Sequence, residues 1–137
     1  RRTSRASQVK TLKDAVDSLQ NGNTLVTFAE GRRSTDGRLM RFKRGPFTMA
    51  KRAGVRILPI SICGLHRFMP TSAIMPLVTP RGIVVRIHPP IDTAGRSADE
   101  VLEETYAAIA SGLPADQLPI APINQSATDE GGMEKDS

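Results

Sequence analysis

Residues 28–34 read FAEGRRS, and a second block, FKRGPF, comes at 42–47. Six cations, Arg32, Arg33, Arg38, Arg41, Lys43 and Arg44, fall within the thirteen residues from 32 to 44. A guanidinium offers two parallel N–H donors to phosphate or carboxylate oxygens, and an ammonium adds a compact point charge. Gly31, just behind an apolar run, lets the backbone come close to a ligand. Glu30 can order the arginines by ion pairing or accept a hydrogen bond from a substrate hydroxyl. These residue types suit a phosphate carried on a polyol. The competing reading is a solvated basic loop, whose exposed ion pairs contribute at most about 1 kcal/mol each. Residue types alone leave both readings open.

The elements around the two blocks decide where they sit. Val9, Leu12, Val16 and Leu19 are spaced by three and four, which predicts a helix over 7–21 with Ser7 as N-cap and Gly22 as the stop. TLVTF at 24–28 is a short β-branched run that predicts a buried strand leading into the basic loop. Asp36-Gly37 marks a turn. PFTMAKRA at 46–53, with proline in its first turn and Gly54 past its end, has the polarity of a short helix.

VRILPISI at 55–62 predicts a second strand, with Pro59 marking an edge position or a local break in pairing. GIVVRIHPPI at 82–91 predicts a third, stopped by Pro89-Pro90. The region 63–81, with three prolines, carries no clear period. Ser97 and Glu100 form a capping-box pattern at the head of a helix over 97–112, with Val101, Leu102, Thr105 and Ile109 along one side. Residues 113–137 are proline-bearing, small and polar, the composition of a mobile tail. The expected domain is therefore 1–112. Helices alternating with strands predict an α/β fold with a mostly parallel sheet and ligand-binding loops at the strand ends, where FAEGRRS falls.

Composition narrows the classes. The 137 residues fit one domain, and a net charge of +5 points to an anionic partner: nucleic acid, anionic lipid or a phosphorylated small molecule. The single Cys63 excludes an internal disulfide, and its apolar surroundings predict a buried, inert thiol. No apolar run reaches the roughly 18 residues of a membrane span. No signal peptide is visible, and with a first residue other than Met the expectation is a piece of a longer chain. A nucleic-acid-binding module accounts for the charge. It does not account for Glu30 and Gly31 at a strand end, and the sequence shows no stacking aromatics, helix-turn-helix or zinc spacing to go with it.

FAEGRRS resembles the F-P-E-G-T-R-S block of the glycerophospholipid acyltransferases, specifically the 1-acylglycerol-3-phosphate acyltransferases. GRLMRFKRGPFTMAKRAGVRILPISICG is similar to the family's next segment, and RGIVVRIHPPIDT to its later strand with a Pro-Ile pair. The opening RRTSRASQVKTLKDAV fits the stretch directly after the family's second block, whose terminal arginine is Arg1. The likeness runs from residue 1 to about 111. Ala29 stands where the family usually has proline, and Arg32 where it usually has threonine.

The resemblance implies transfer of a fatty acyl group from a thioester donor, acyl-CoA or acyl-carrier protein, to lysophosphatidic acid at a membrane surface, giving phosphatidic acid. No cofactor, metal or nucleic acid is implied. Arg1, Arg33 and Lys43 would neutralise the acceptor phosphate, with Arg32 a fourth contact and Ser34 closing the block. Glu30 would fix the loop or bind the glycerol hydroxyl, and Gly31 would give close backbone approach. The family's histidine and aspartate, spaced by five, are absent: Thr71 and Thr93 stand at that distance after His66 and His88. His88 has Asp92 four residues on, a weak substitute, so the catalytic block is expected upstream of Arg1. The stretch FMPTSAIMPLV at 68–78 is a candidate acyl groove or membrane contact, or ordinary packing. A relative with another acceptor and a non-catalytic lipid binder remain open on these residues.

Overall fold

The computed structural model describes residues 5–68, 75, 79, 81–121 and 123, with side chains from residue 9 onward. Three helices, α1 (Arg5–Gln20), α2 (Gly45–Ala53) and α3 (Ala98–Ser111), pack with two short strands, β1 (Ile60–Cys63) and β2 (Val84–Ile87). The expected α/β class holds in this small form.

All three helices end where local chemistry dictates. Helix α1 begins before Ser7, which lies inside it rather than capping it, and Gly22 at φ +85° ends the turn after it. Pro46 sits in the first turn of α2, and left-handed Gly54 donates its N–H back to the carbonyls of Ala50 and Lys51. In α3 both halves of the capping box form: Ser97 Oγ accepts the Glu100 N–H, and Glu100 accepts the Ser97 N–H. Leu12, Val16 and Leu19 are half-buried, while Val9 is exposed. Helix α1 packs on α2, and α2 on α3.

The core gathers Leu39, Phe42 and Phe47 with Ile91, Ala98, Val101 and Leu102. The Phe42 ring stacks on Phe47 at 6.1 Å between centroids and meets Tyr106 edge-on at 5.0 Å.

Two further expectations are corrected. Residues 24–28 form no strand; Leu25, Val26 and Phe28 are exposed, Val26 by 82%. A strand needs a partner, and none among the described residues lies beside this run. The second correction concerns direction: β1 and β2 pair antiparallel, Ile60 with Ile87 through Cys63 with Val84, so the described sheet is not the mostly parallel one expected. A parallel pair requires a crossover, usually helical. The described part of the connection holds only the one-turn 3₁₀ helix Leu65–Arg67. Pro59 does break the pairing, separating β1 from an isolated bridge between Ile57 and Ile91.

The two faces of this ribbon differ. Ser61, Cys63 and Arg86 turn to the end of α3, whose last carbonyls lack intrahelical partners. Ser61 Oγ donates to the Ile109 carbonyl at 2.7 Å, and Cys63 Sγ and Arg86 Nη1 donate to that of Gly112 at 3.3 and 2.8 Å. The Arg86 cation also complements the negative end of the helix. On the opposite face Ile60, Val85 and Ile87 are exposed.

Candidate functional site: a cationic hollow beside the glycine turn

Phe42 and Phe47 are buried, only 4% and 2% exposed. With its neighbour held in the core, Lys43 is left facing outward, and its backbone N–H donates to the Ala29 carbonyl at 2.7 Å. That bond joins the two motif blocks. The FAEGRRS turn closes through the Gly31 N–H on the Phe28 carbonyl at 3.0 Å, and Ala29 packs against the core. The turn therefore forms with alanine where the family usually has proline.

Gly31 is required twice. Its φ of +73° lies in the left-handed region, and a Cβ there would meet Lys43 Cγ at 3.2 Å. The lysine stem crosses directly over the glycine. Glu30 does not reach into open solvent: its carboxylate accepts the Met40 N–H at 2.8 Å, pinning the loop between the blocks. Burial raises its pKa above the ordinary glutamate value, and the Met40 bond offsets part of that rise. Asp36 builds the intervening turn by accepting from Ser34 Oγ at 2.7 Å and the Arg38 N–H at 3.1 Å, and these bonds hold its pKa low.

The result is a hollow of about 450 Å³. Its polar side is Glu30, Arg32, Asp36, Arg38, Arg41 and Lys43, and its apolar side includes Leu39 and Met40. Four cations against two carboxylates give the lining a net positive charge, which favours an anion. Of the residues expected from the sequence, the structure brings Glu30, Arg32 and Lys43 into this hollow, with Gly31 beneath the lysine. Arg33 is exposed and is not part of the lining, and Ser34 is engaged by Asp36. Arg1 lies outside the described residues, as does most of 68–78.

Arg38 and Arg41 belong to the cation cluster at 32–44, but nothing in the sequence singles them out within it. The apolar wall has no counterpart in the sequence reading. It includes Pro119, Ile120 and Ile123, from a region whose composition predicts a mobile tail. The Leu39 N–H donates to the Gln117 carbonyl at 2.8 Å, and Arg38 Nη1 to that of Leu118 at 2.6 Å. Gln117 is buried, and its side chain accepts the Gly64 N–H at 2.7 Å. Up to Leu118 the tail is bonded to the body.

Among the described residues neither histidine forms a base–carboxylate pair. His88 Nε2 lies 2.7 Å from Ser61 Oγ, whose own proton goes to the Ile109 carbonyl, so Nε2 must be the donor. Ser61 is fully buried, which makes the pair a structural strut and not a nucleophile with its base. Asp92 faces Arg56 instead, at 3.9 Å. The His66 ring packs over Gly37, and its Nδ1 has no hydrogen-bond partner among the described residues. Among those residues there is also no cluster of metal-ligand type and no helix long and apolar enough to cross a membrane.

Residues 1–63 match the protein family described as Acyltransferase. The chain is 38% identical over 107 residues to the chloroplastic 1-acyl-sn-glycerol-3-phosphate acyltransferase LPAT1 of Arabidopsis thaliana, covering 78% of this chain and 29% of that protein. It is 31% identical over 129 residues to the 1-acyl-sn-glycerol-3-phosphate acyltransferase of Limnanthes douglasii, covering 91% of this chain and 45% of that one. The crystal structure of the 1-acyl-sn-glycerophosphate (LPA) acyltransferase PlsC from Thermotoga maritima superposes with a TM-score of 0.70 at 33% identity. That match covers 76% of this chain and 44% of PlsC.

The fold and the motif blocks are those of an acyltransferase. More particularly, the chain belongs to the glycerophospholipid acyltransferases, among sequences named 1-acyl-sn-glycerol-3-phosphate acyltransferase. It spans less than half the length of each of these three relatives.

Proposed function

We propose that this chain carries the acceptor-binding part of a 1-acylglycerol-3-phosphate acyltransferase, and that the hollow beside Gly31 holds the phosphate of lysophosphatidic acid. The observation that carries this is the convergence of Arg32 and Lys43, from the two family blocks, on one hollow with Arg38 and Arg41. A phosphate gripped there leaves its glycerol hydroxyl near the site rim, ready to attack an acyl thioester. The hydroxyl oxygen bonds to the thioester carbonyl carbon, the thiolate leaves, and the hydroxyl proton passes to a base. The base belongs to a histidine–aspartate pair that this chain does not supply. What the cations contribute is position, which turns a two-body encounter into an effectively intramolecular one. The donor is acyl-CoA or acyl-carrier protein, met at a membrane surface. The exposed run 24–28 and the open face of the β1–β2 ribbon are surfaces on which the larger, mostly parallel sheet of a whole enzyme would build.

Phosphate contacts fall first to Arg32 and Lys43. Arg33, Arg1 and Ser34 are the motif's further candidates, with Glu30 fixing the loop. In an enzyme containing this segment, Lys43→Met and Arg32→Met should each raise KM for lysophosphatidic acid about tenfold or more, since a hydrogen bond to a charged group contributes about 1.5–3 kcal/mol. KM for the acyl donor should not change. Equal rises for both substrates would overturn the assignment. Arg33→Ala in the same assay shows whether the motif arginine shares the phosphate: a rise confined to the acceptor says that it does.

A further inference from the structure

We infer that His66 is a positioning residue for the acceptor site: its ring is the surface on which the turn at 36–38 rests, and through that turn it sets the charged side chains of the hollow. This rests on the hollow holding the acceptor phosphate, and adds to it a residue that does not line the hollow itself.

Three segments distant in sequence meet at this point. The 3₁₀ turn Leu65–Arg67 carries His66. The turn at 36–38 carries Asp36 and Arg38, both of which line the hollow. Residues 116–118 tie the two together. The Gly64 N–H donates to the Gln117 side chain at 2.7 Å, and Arg67 pairs with Asp116 at 2.8 Å, so the 3₁₀ turn is anchored on both sides of His66. From the cationic loop, the Leu39 N–H donates to the Gln117 carbonyl and Arg38 Nη1 to that of Leu118. The bonds that Asp36 accepts from Ser34 and Arg38 are local to the turn and do not fix it to the body.

The ring makes a closer contact than a side chain at 37 would allow. Gly37 has a left-handed φ of +77°, and a Cβ built there would overlap Cγ and Cδ2 of His66 and stand 2.8 Å from Nε2. Only a bare Cα lets backbone and ring meet at this distance. Nδ1 is buried and has no hydrogen-bond partner among the described residues. What the ring offers the turn is therefore its flat face, not a hydrogen bond from that nitrogen.

The test is steady-state kinetics of an enzyme containing this segment, with lysophosphatidic acid and the acyl donor varied in turn. His66→Ala should raise KM for lysophosphatidic acid about three- to tenfold, part of the effect of losing a charged hydrogen bond, with KM for the donor unchanged. His66→Phe keeps the flat face and should stay within about twofold of wild type. Gly37→Ala should raise the acceptor KM about tenfold alone, and by less when added to His66→Ala. The backbone strain is the same in both backgrounds, so the difference isolates the contact with the ring. A general loss of stability produces neither the acceptor-only effect nor the rescue by phenylalanine. Should His66→Ala yield no folded enzyme, His66→Leu, which fills the space without a flat face, takes its place with the same expected rise. An unchanged acceptor KM overturns the inference. So do equal rises for both substrates, a His66→Phe variant as impaired as His66→Ala, or additive effects of the two positions. Failure of the underlying reading looks different, because Lys43→Met would then leave the acceptor KM unchanged as well. A rise in Lys43→Met with none in His66→Ala removes only the role of His66.

Discussion

Gly31→Ala tests the geometry of the hollow more finely than removal of any charge. The left-handed φ of +73° disfavours a Cβ by about 1–2 kcal/mol, offset by about 0.4–1 kcal/mol from the reduced freedom of the unfolded chain. A net loss near 1 kcal/mol is expected, which lowers the thermal midpoint by roughly 3–6 °C in a domain of this size. The same arithmetic applies to Gly54, at φ +69°. The two sites differ in what the new methyl would meet. At Gly54 nothing lies within 4 Å, whereas at Gly31 Lys43 Cγ stands 3.2 Å away, with Cε at 4.0 Å. The lysine stem must give by a few tenths of an ångström, which shifts the base of the chain that carries the ammonium. Gly31→Ala should therefore weaken glycerol 3-phosphate binding about three- to tenfold, a fraction of the full effect of losing a charged hydrogen bond. Gly54→Ala should leave it unchanged. Paired thermal unfolding and titration calorimetry read both quantities. Equal affinities for the two variants would refute the claim that Lys43 is held in place by the bare backbone of Gly31.

Two other substitutions probe the supports. Glu30 has a folded pKa above its unfolded value, so the folded state binds more protons in the window between them, and stability falls as pH rises through it. Glu30→Gln should remove that slope in denaturant titrations from pH 4 to 7, and parallel wild-type and variant profiles would contradict it. Glu30→Ala, by contrast, deprives the Met40 N–H of its acceptor and should cost about 1–3 kcal/mol. Outside the lining of the hollow, a Cβ on Gly112 would stand 2.6 Å from Ser61 Oγ and 2.8 Å from the His88 ring. Gly112→Ala should destabilise by about 1–3 kcal/mol through overpacking, with phosphate binding intact. A fully stable variant would show that the Ser61–His88 strut is not rigid.

How much the sequence made legible depended on how local the signals are. The three helices were readable because their period, the Pro46–Gly54 polarity and the Ser97–Glu100 box all lie within a few residues of one another. The strand expected at 24–28 was not, because pairing is a long-range property and a β-branched run carries no information about its partner. Strand direction failed for a related reason. It depends on the connection through 64–83, whose three prolines and lack of period left its course open.

The site divides in the same way. Lys43 was singled out by the cation cluster and by the likeness of its block to the family's. Arg32 stood out as a cation in place of a small hydroxyl. The wall residues Pro119, Ile120 and Ile123 could not be read, since the bond tying their neighbour Leu118 to Arg38 spans 80 residues of sequence and their composition resembles a tail. One signal was available: two isoleucines and three prolines within 114–123 are more apolar than a solvated tail requires.

The account stands or falls on where an acceptor phosphate binds. Titration of the ¹⁵N-labelled chain with glycerol 3-phosphate at physiological ionic strength, monitored by amide chemical shifts, answers this directly. Saturable shifts confined to Gly31, Arg32, Met40, Lys43 and their neighbours are predicted. Shifts centred instead on the exposed cations of α2 and beyond it, Lys51, Arg52 and Arg56, would contradict it, as would no saturable shift at all.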